Sequence, residues 1–290
     1  MKKIVFMIIL AVMTANIAVQ AQDKPAYTVF AGDGKPSDYG RMLEALSEAD
    51  VIFIGETHNC PIAHWIEFEL TRDLYGKHSD GLVLGAEMFE TDDQLLVDEY
   101  VTGVISSDKF ESEAKLWDNY YTDYYPLLSF AREKGLKFVA TNVPRRYASY
   151  VKDHGLEALE NLSDGARALM APLPIDFEAS EEDEAMFGFM KMISGSDGEK
   201  SYFAEAQAIK DATMAWSVAR NMDRRFIHYN GNFHSDFHGG IIPYFNKYCP
   251  GKSVMTVCCV RQDDISVLGE ENLGRADFIV CVPVDMTMSY

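Results

Sequence analysis

Val51-Ile52-Phe53-Ile54-Gly55-Glu56-Thr57-His58 is the stretch from which the fold can be read. Its four leading residues are all apolar and mostly β-branched, the pattern of a strand covered on both faces rather than of a half-solvated edge. Gly55 permits a sharp exit from the strand, and Glu56 and His58 follow where the chain leaves the sheet. The same grammar recurs along the chain. Leu82–Glu87, Lys137–Thr141, Phe226–Gly231, Val254–Val260 and Phe278–Val282 read as further strands, with helices starting near Pro61, Asp92, Tyr124, Arg146 and Gly239. Strand–helix alternation of this kind predicts an α/β fold with a mainly parallel sheet flanked by helices.

One block departs from the alternation. From Arg146 to Met222 no strand pattern is evident, which predicts a helical lobe (146–222) inserted in a sheet domain made of 22–145 and 223–290. Within it, Ser180 with Glu181-Glu182-Asp183 reads as a capped helix start, and Met186, Phe189, Met190 and Ile193 form an apolar stripe at helical spacing. Glu199–Met222 reads as one long helix.

At the other end, Lys2 and Lys3 precede the apolar run Ile4 to Met13, and Ala18-Val19-Gln20-Ala21 places small residues at cleavage spacing. This is the pattern of a signal peptide over 1–21, and it predicts export to the periplasm or the outside. No cysteine precedes Cys60, so a lipid anchor on an N-terminal cysteine is not expected.

Composition bounds the partners. The chain has 290 residues, with 26 basic against 45 acidic side chains and a formal charge of −19. Removing Lys2 and Lys3 leaves 24 basic against 45 acidic, a charge of −21. Phosphate recognition needs a basic face, so nucleic acid is excluded, as is electrostatic docking to anionic lipid. The run at the N-terminus is too short to span a bilayer. Five cysteines (Cys60, Cys249, Cys258, Cys259, Cys281) leave at least one unpaired and show no zinc-ligand spacing. Cys258 and Cys259, adjacent in an apolar run, read as core residues on opposite faces of a strand.

The chemistry gathers after the strands. In an open parallel sheet, ligands bind beyond the carboxyl ends. Gly55-Glu56-Thr57-His58, Glu87 within Gly85–Glu90, Arg145-Arg146 after Thr141–Pro144, and Gly231-Asn232-Phe233-His234 would all meet there. Two of these are Gly-x-x-His. Carboxylates beside imidazoles suit a general base or a metal-bound water. Plainer roles stand beside this one: Glu56 and Glu87 as caps, His58 and His234 as loop histidines, and His64 on a helix face. His228, in mid-strand, reads as a core histidine, and Gly239-Gly240 argue against a metal-chelating helix through His234 and His238. Gln207 and Asp211 share a helix face, either as a structural pair or as pocket residues. The aromatic stretch Trp117 to Pro126 carries four tyrosines; it suits packing, or a planar ligand with a phenolate on iron. There is no Cys-x-x-Cys-His, His-Glu-x-x-His or Gly-x-Ser-x-Gly.

These residues resemble the ChaN-like haem-binding family, of the superfamily that also holds the Tiki and TraB proteins and the erythromycin-esterase-like enzymes. The resemblance runs through Gly55–His58 and His64, Glu87–Glu90 with Gln94, and Tyr124-x-Pro126-Leu127-Leu128. It continues through Ala131-Arg132, Ala140 to Arg145, Gln207, Asp211, Met214-Ala215 and Gly231-Asn232-x-His234, ending at Gly240-Ile241-x-Pro243. It implies haem binding tied to iron acquisition, in a dimer, with tyrosine on iron and histidine near the propionates. Tyr124 fits the family's tyrosine–proline motif best. The haem-binding set that follows is Glu56, His58, His64, Glu87, Tyr124, Arg145, Gln207, Asp211 and His234. Two features depart from the family: the missing anchor cysteine, and the acidic Ser235-Asp236 after the second Gly-x-x-His. The alternative is a metal-dependent peptidase or esterase using Glu56, His58, Glu87 and His234, with His58 and His234 as metal ligands. A third reading is a binding module for another envelope component.

Overall fold

The computed structural model describes residues 24–79, 81–178 and 202–290. The signal pattern, the Ser180 helix start and the Met186–Ile193 stripe lie outside them. Eight strands form one sheet: β1 (Thr28–Ala31), β2 (Pro36–Ser37), β3 (Val51–Glu56), β4 (Leu82–Glu90), β5 (Lys137–Asn142), β6 (Arg225–Gly231), β7 (Val254–Gln262) and β8 (Phe278–Pro283). Their order is β2-β1-β8-β7-β3-β6-β4-β5. The stretch from β8 to β5 is parallel throughout, and only the β1 and β2 edge runs antiparallel. The six strands read from the sequence are all present, so the α/β class and mainly parallel sheet stand. The short β1–β2 hairpin leaves no mark in the sequence, because an edge pair of four and two residues carries too little apolar pattern to register.

Alternate residues of the central strands feed opposite layers. Ile52, Ile54, Leu82, Leu84 and Ala86 pack under helices α1 (Tyr39–Leu46), α2 (Pro61–His78), α3 (Gln94–Val101), α4 (Ser107–Glu113) and α5 (Tyr125–Lys134). Val51, Phe53, Val83, Val139 and Phe226 face the other way. Among the described residues, α6 (Arg145–His154), α7 (Asp164–Arg167) and α8 (Phe203–Ala219) precede β6, and α9 (Ile241–Tyr248) follows it. The C-terminal half of α8 lays Met214, Ala215 and Val218 on the sheet. Its N-terminal half joins Ala206, Ile209 and Ala212 to Val143, Val151, Leu159 and Met170 in a separate apolar cluster. One helix thus ties the segment after β5 to the sheet face.

Local chemistry explains the boundaries. Asp38 caps α1 by accepting from the Arg41 amide at 2.9 Å. α2 starts with Pro61 in its first turn and ends with Lys77 and His78 against its negative pole. α5 stops at Gly135, whose φ of 64° a side chain would resist. Cys258 and Cys259 fall into different buried clusters, one on each side of β7, and all five cysteines are free. His228 is fully buried, with Nε2 2.8 Å from Thr141 Oγ1 and Nδ1 3.0 Å from Asn230 Oδ1. Burial pushes its pKa down to about 4, so it stays neutral. His234 and His238 do not share a helix: two tight turns, Asn232–His234 and Asp236–His238, are joined at Ser235, Phe237 has φ 55°, and His238 lies 3.8 Å from Asp277 instead.

Candidate functional site

β3, β6 and β4 are neighbours, so the register alone brings Glu56 opposite Gly231 and Glu87 just beyond the paired end of β4. Two buried hydrogen-bonded centres form there.

The first is built on Glu56, which is 2% exposed. Its Oε1 accepts from His58 Nδ1 at 2.7 Å and from the Tyr124 hydroxyl at 2.8 Å. Its Oε2 lies 3.2 Å from His64 Nδ1. Burial alone would raise the Glu56 carboxyl, but the His58 bond and the charge of His64 outweigh it and hold it well below the usual range. His64 is also 3.2 Å from Glu67 Oε2, one helical turn along α2, and its Nε2 reaches the His58 carbonyl at 3.1 Å and Asp123 Oδ2 at 3.3 Å. Despite burial, Glu56 and Glu67 hold a proton on His64 up to about 12. Glu67 answers in the other direction: buried, and facing the charge of Glu56, its carboxyl is raised well above the usual value. Tyr124 is 1% exposed and takes a further bond from Asn119 at 3.2 Å. Burial, with the Glu56 charge second, pushes its phenol far up, so it stays a proton donor.

The second centre is a chain of three buried groups. Asp211 Oδ1 and His234 Nδ1 are 2.5 Å apart, and His234 Nε2 is 3.2 Å from Glu87 Oε1. Glu87 Oε2 accepts the Gly231 amide at 2.8 Å. Burial opposes both charges, yet the two carboxylates raise His234 to about 10, and the charge of His234 lowers Glu87 to about 2. Burial raises Asp211.

Gly231 joins the centres. A Cβ there would sit 2.8 Å from Cε1 and Nε2 of His58 and 3.6 Å from Glu87 Oε2. Gly231→Ala is therefore expected to swing His58 off its Glu56 bond while leaving the sheet paired. The shift of the His58 ring proton resonances checks this, and an unmoved His58 spectrum would contradict it.

Both histidines open onto a cleft of about 470 Å³ between the strand ends, α6 and α8. Trp117, Val143, Phe203 and Phe233 supply apolar walls, and Arg145, Lys152 and Lys210 bring positive charge. Trp117 meets the His58 ring edge-on, with centroids 4.9 Å apart. Of the residues read from the sequence, His58, Glu87, Arg145, Gln207 and His234 line this cleft. Glu56, His64 and Tyr124 stand behind it and Asp211 beneath His234. Arg146 instead pairs with Asp92 at 2.6 Å. Glu67, Asn119, Asp123, Lys152 and Lys210 also belong to the two centres or the cleft, and the sequence motifs do not mark them. His64-x-x-Glu67 at one-turn spacing was the available signal for Glu67; the two lysines carried none.

An open parallel sheet with paired carboxylate–imidazole centres at its strand ends defines a ligand-binding or catalytic α/β protein. The chain belongs to the haem-binding uptake family of the Tiki superfamily, ChaN, whose model matches residues 42–245. Among solved structures it is similar to ChaN of Campylobacter jejuni, described with cofacial haem binding. That match has a TM-score of 0.67 and 17% identity, covering 88% of this chain and 96% of that one. An erythromycin esterase EreC mutant in its open conformation matches with a TM-score of 0.49 and 16% identity, over 88% of this chain and 96% of that chain. In sequence, the chain is 28% identical to Protein RETICULATA-RELATED 5, chloroplastic, of Arabidopsis thaliana over 141 residues. That stretch is 47% of this chain and only 19% of the plant protein. Among the described residues no helix is long and apolar enough to cross a membrane.

Proposed function

We propose that this chain is an exported haem-binding protein acting in haem or iron acquisition, with the cleft at the strand ends as its haem site. The observation that carries the reading is the cleft's lining: two imidazoles, aromatic walls and three cationic side chains in one cavity, beside the carboxylates of Glu87 and Glu90. His58 gives its Nδ1 to Glu56, so the neutral ring carries its lone pair on Nε2, the arrangement of a metal-ligating histidine oriented by a carboxylate. Trp117, Phe203 and Phe233 suit the faces of a macrocycle, and Arg145, Lys152 and Lys210 suit its carboxylates. These residues fit the group, which when bound supplies a redox-active iron.

The resemblance to the family gave iron to a tyrosine, with Tyr124 the best match. Tyr124 donates to Glu56 from behind the cleft, which supports a positioning role for it and favours His58 as the side chain offered to iron. Cofacial haem binding in the Campylobacter protein supports a haem-linked pairing of two copies. Export rests on the Lys2-Lys3 and Ile4–Met13 pattern.

Neutralising Arg145, Lys152 and Lys210 together by glutamine is expected to weaken ferric haem at least about 10-fold, since each charge-assisted bond is worth on the order of 1 kcal/mol or more. An absorption titration reads this, and unchanged affinity would move the haem elsewhere.

The Asp211–His234–Glu87 chain beside His58 favours a second reading, a metal-dependent peptidase or esterase. Turnover of peptide or ester substrates, lost in His58→Ala and His234→Ala, would establish it over haem carriage.

A further inference from the structure

Behind the cleft, His64 is held in a position that calls for a cation. Its Nε2 is directed at the His58 carbonyl, 3.1 Å away, with Asp123 Oδ2 at 3.3 Å. A proton on Nε2 satisfies both acceptors, which leaves the lone pair of the neutral ring on Nδ1. Nδ1 in turn faces Glu56 Oε2 and Glu67 Oε2, each 3.2 Å away. Once that Nδ1 gives up its proton, three electron-pair donors converge on one point.

Two further observations bear on what fills that space. Glu56 Oε1 already accepts from His58 and Tyr124, while Glu56 Oε2 and Glu67 Oε1 are buried with no hydrogen-bond partner. Buried carboxylate oxygens without donors are costly unless a cation neutralises them. The spacing also suits coordination. Ligand bonds of about 2.0–2.1 Å at a tetrahedral centre place neighbouring donor atoms roughly 3.3 Å apart, and the two distances from Nδ1 are 3.2 Å. One divalent cation would balance both carboxylates at once.

We propose that Glu56, His64 and Glu67 form a buried binding site for a divalent transition-metal cation of the zinc class, distinct from the haem cleft. One imidazole with two carboxylates is a borderline donor set that suits Zn²⁺ and its neighbours better than Ca²⁺ or Mg²⁺. Asp123 holds the far side of the imidazole, which makes it a positioning residue. In the metal-free chain a proton on Nδ1 takes the cation's place, so binding competes with protons and weakens as pH falls. Through Glu56 the cation would sit one residue from the bond that orients His58.

Co²⁺ alone, added to the haem-free full chain both in its native state and during refolding, tests the site. The expected result is one equivalent bound with the visible ligand-field bands of a low-coordinate site. Glu67→Gln, which keeps the side-chain shape, should weaken binding at least about 100-fold, and Asp123→Asn about 10-fold. His58→Ala and His234→Ala should retain the bands. Near-ultraviolet circular dichroism confirms that each variant is folded, with Asp123→Asn serving if Glu67→Gln is not. No Co²⁺ uptake, uptake unaffected by Glu67→Gln and Asp123→Asn, or uptake lost in His58→Ala or His234→Ala would overturn the proposal. None of these outcomes depends on haem, whose binding is read separately at its Soret band.

Discussion

Glu56→Ala is expected to destabilise the chain by about 3–5 kcal/mol, the range for removing one partner of a buried charged network. The Glu56 side chain is one shared acceptor for three elements: the His58 loop, α2 through His64, and the aromatic turn through Tyr124. Taking it away leaves a buried phenol and a buried imidazolium facing Glu67 without their shared acceptor. Glu56→Gln keeps the volume and one acceptor oxygen, so it should cost roughly half as much, with the residual loss coming from an amide placed against His64. Urea unfolding gives the comparison, and an unchanged slope with a lowered midpoint would assign the loss to the native contacts. A loss under about 1 kcal/mol for the alanine variant would mean the network contributes little to the fold.

The second large effect is on pH dependence, and it comes from Glu87 and His234. Glu87 is lowered to about 2, so its contribution is present above the unfolded carboxyl value near 4.5 and is lost as pH falls through about 2. His234 is raised to about 10, so its contribution is present below the unfolded value near 6.5 and is lost as pH rises through about 10. From these two groups, stability should be highest between about pH 4.5 and 6.5 and decline on both sides. Each loss should be on the order of a few kcal/mol, and the alkaline loss, from the larger shift, should exceed the acid one. Asp211→Asn removes one of the two carboxylates that hold the His234 proton, so the alkaline decline should be smaller and should end at lower pH. Unfolding midpoints at pH 3, 6 and 9 check the shape. A midpoint that rises from pH 6 to pH 9 would contradict the charge assignment.

The strands and their ends were legible because burial on both faces writes continuous apolar runs, and Val51–Ile54 and Phe226–Ile227 are such runs. Their carboxyl ends mark Glu56, His58, Glu87 and His234 from sequence alone. What the sequence did not carry was direction. Tyr124 was visible as an aromatic before a helix, but a turn of π-helix over Tyr120–Tyr124 decides that its hydroxyl points at Glu56 rather than into the cleft. Glu67 looked like one more acidic residue on an amphipathic helix. Only the packing of α2 against β3 turns it inward, where it is completely buried. Lys152 and Lys210 lie far apart in sequence, on α6 and α8, and share a cleft only because α8 crosses both the sheet and the segment after β5.

The central claim is that haem sits in the cleft with His58 presented to it. Ferric haem titrated into the purified chain, followed at the Soret band, tests this most directly. The account predicts a saturable shift at micromolar protein for the native chain, weakened at least about 10-fold and altered in position for His58→Ala. No shift in the native chain, or the same titration for the native chain and His58→Ala, would contradict it.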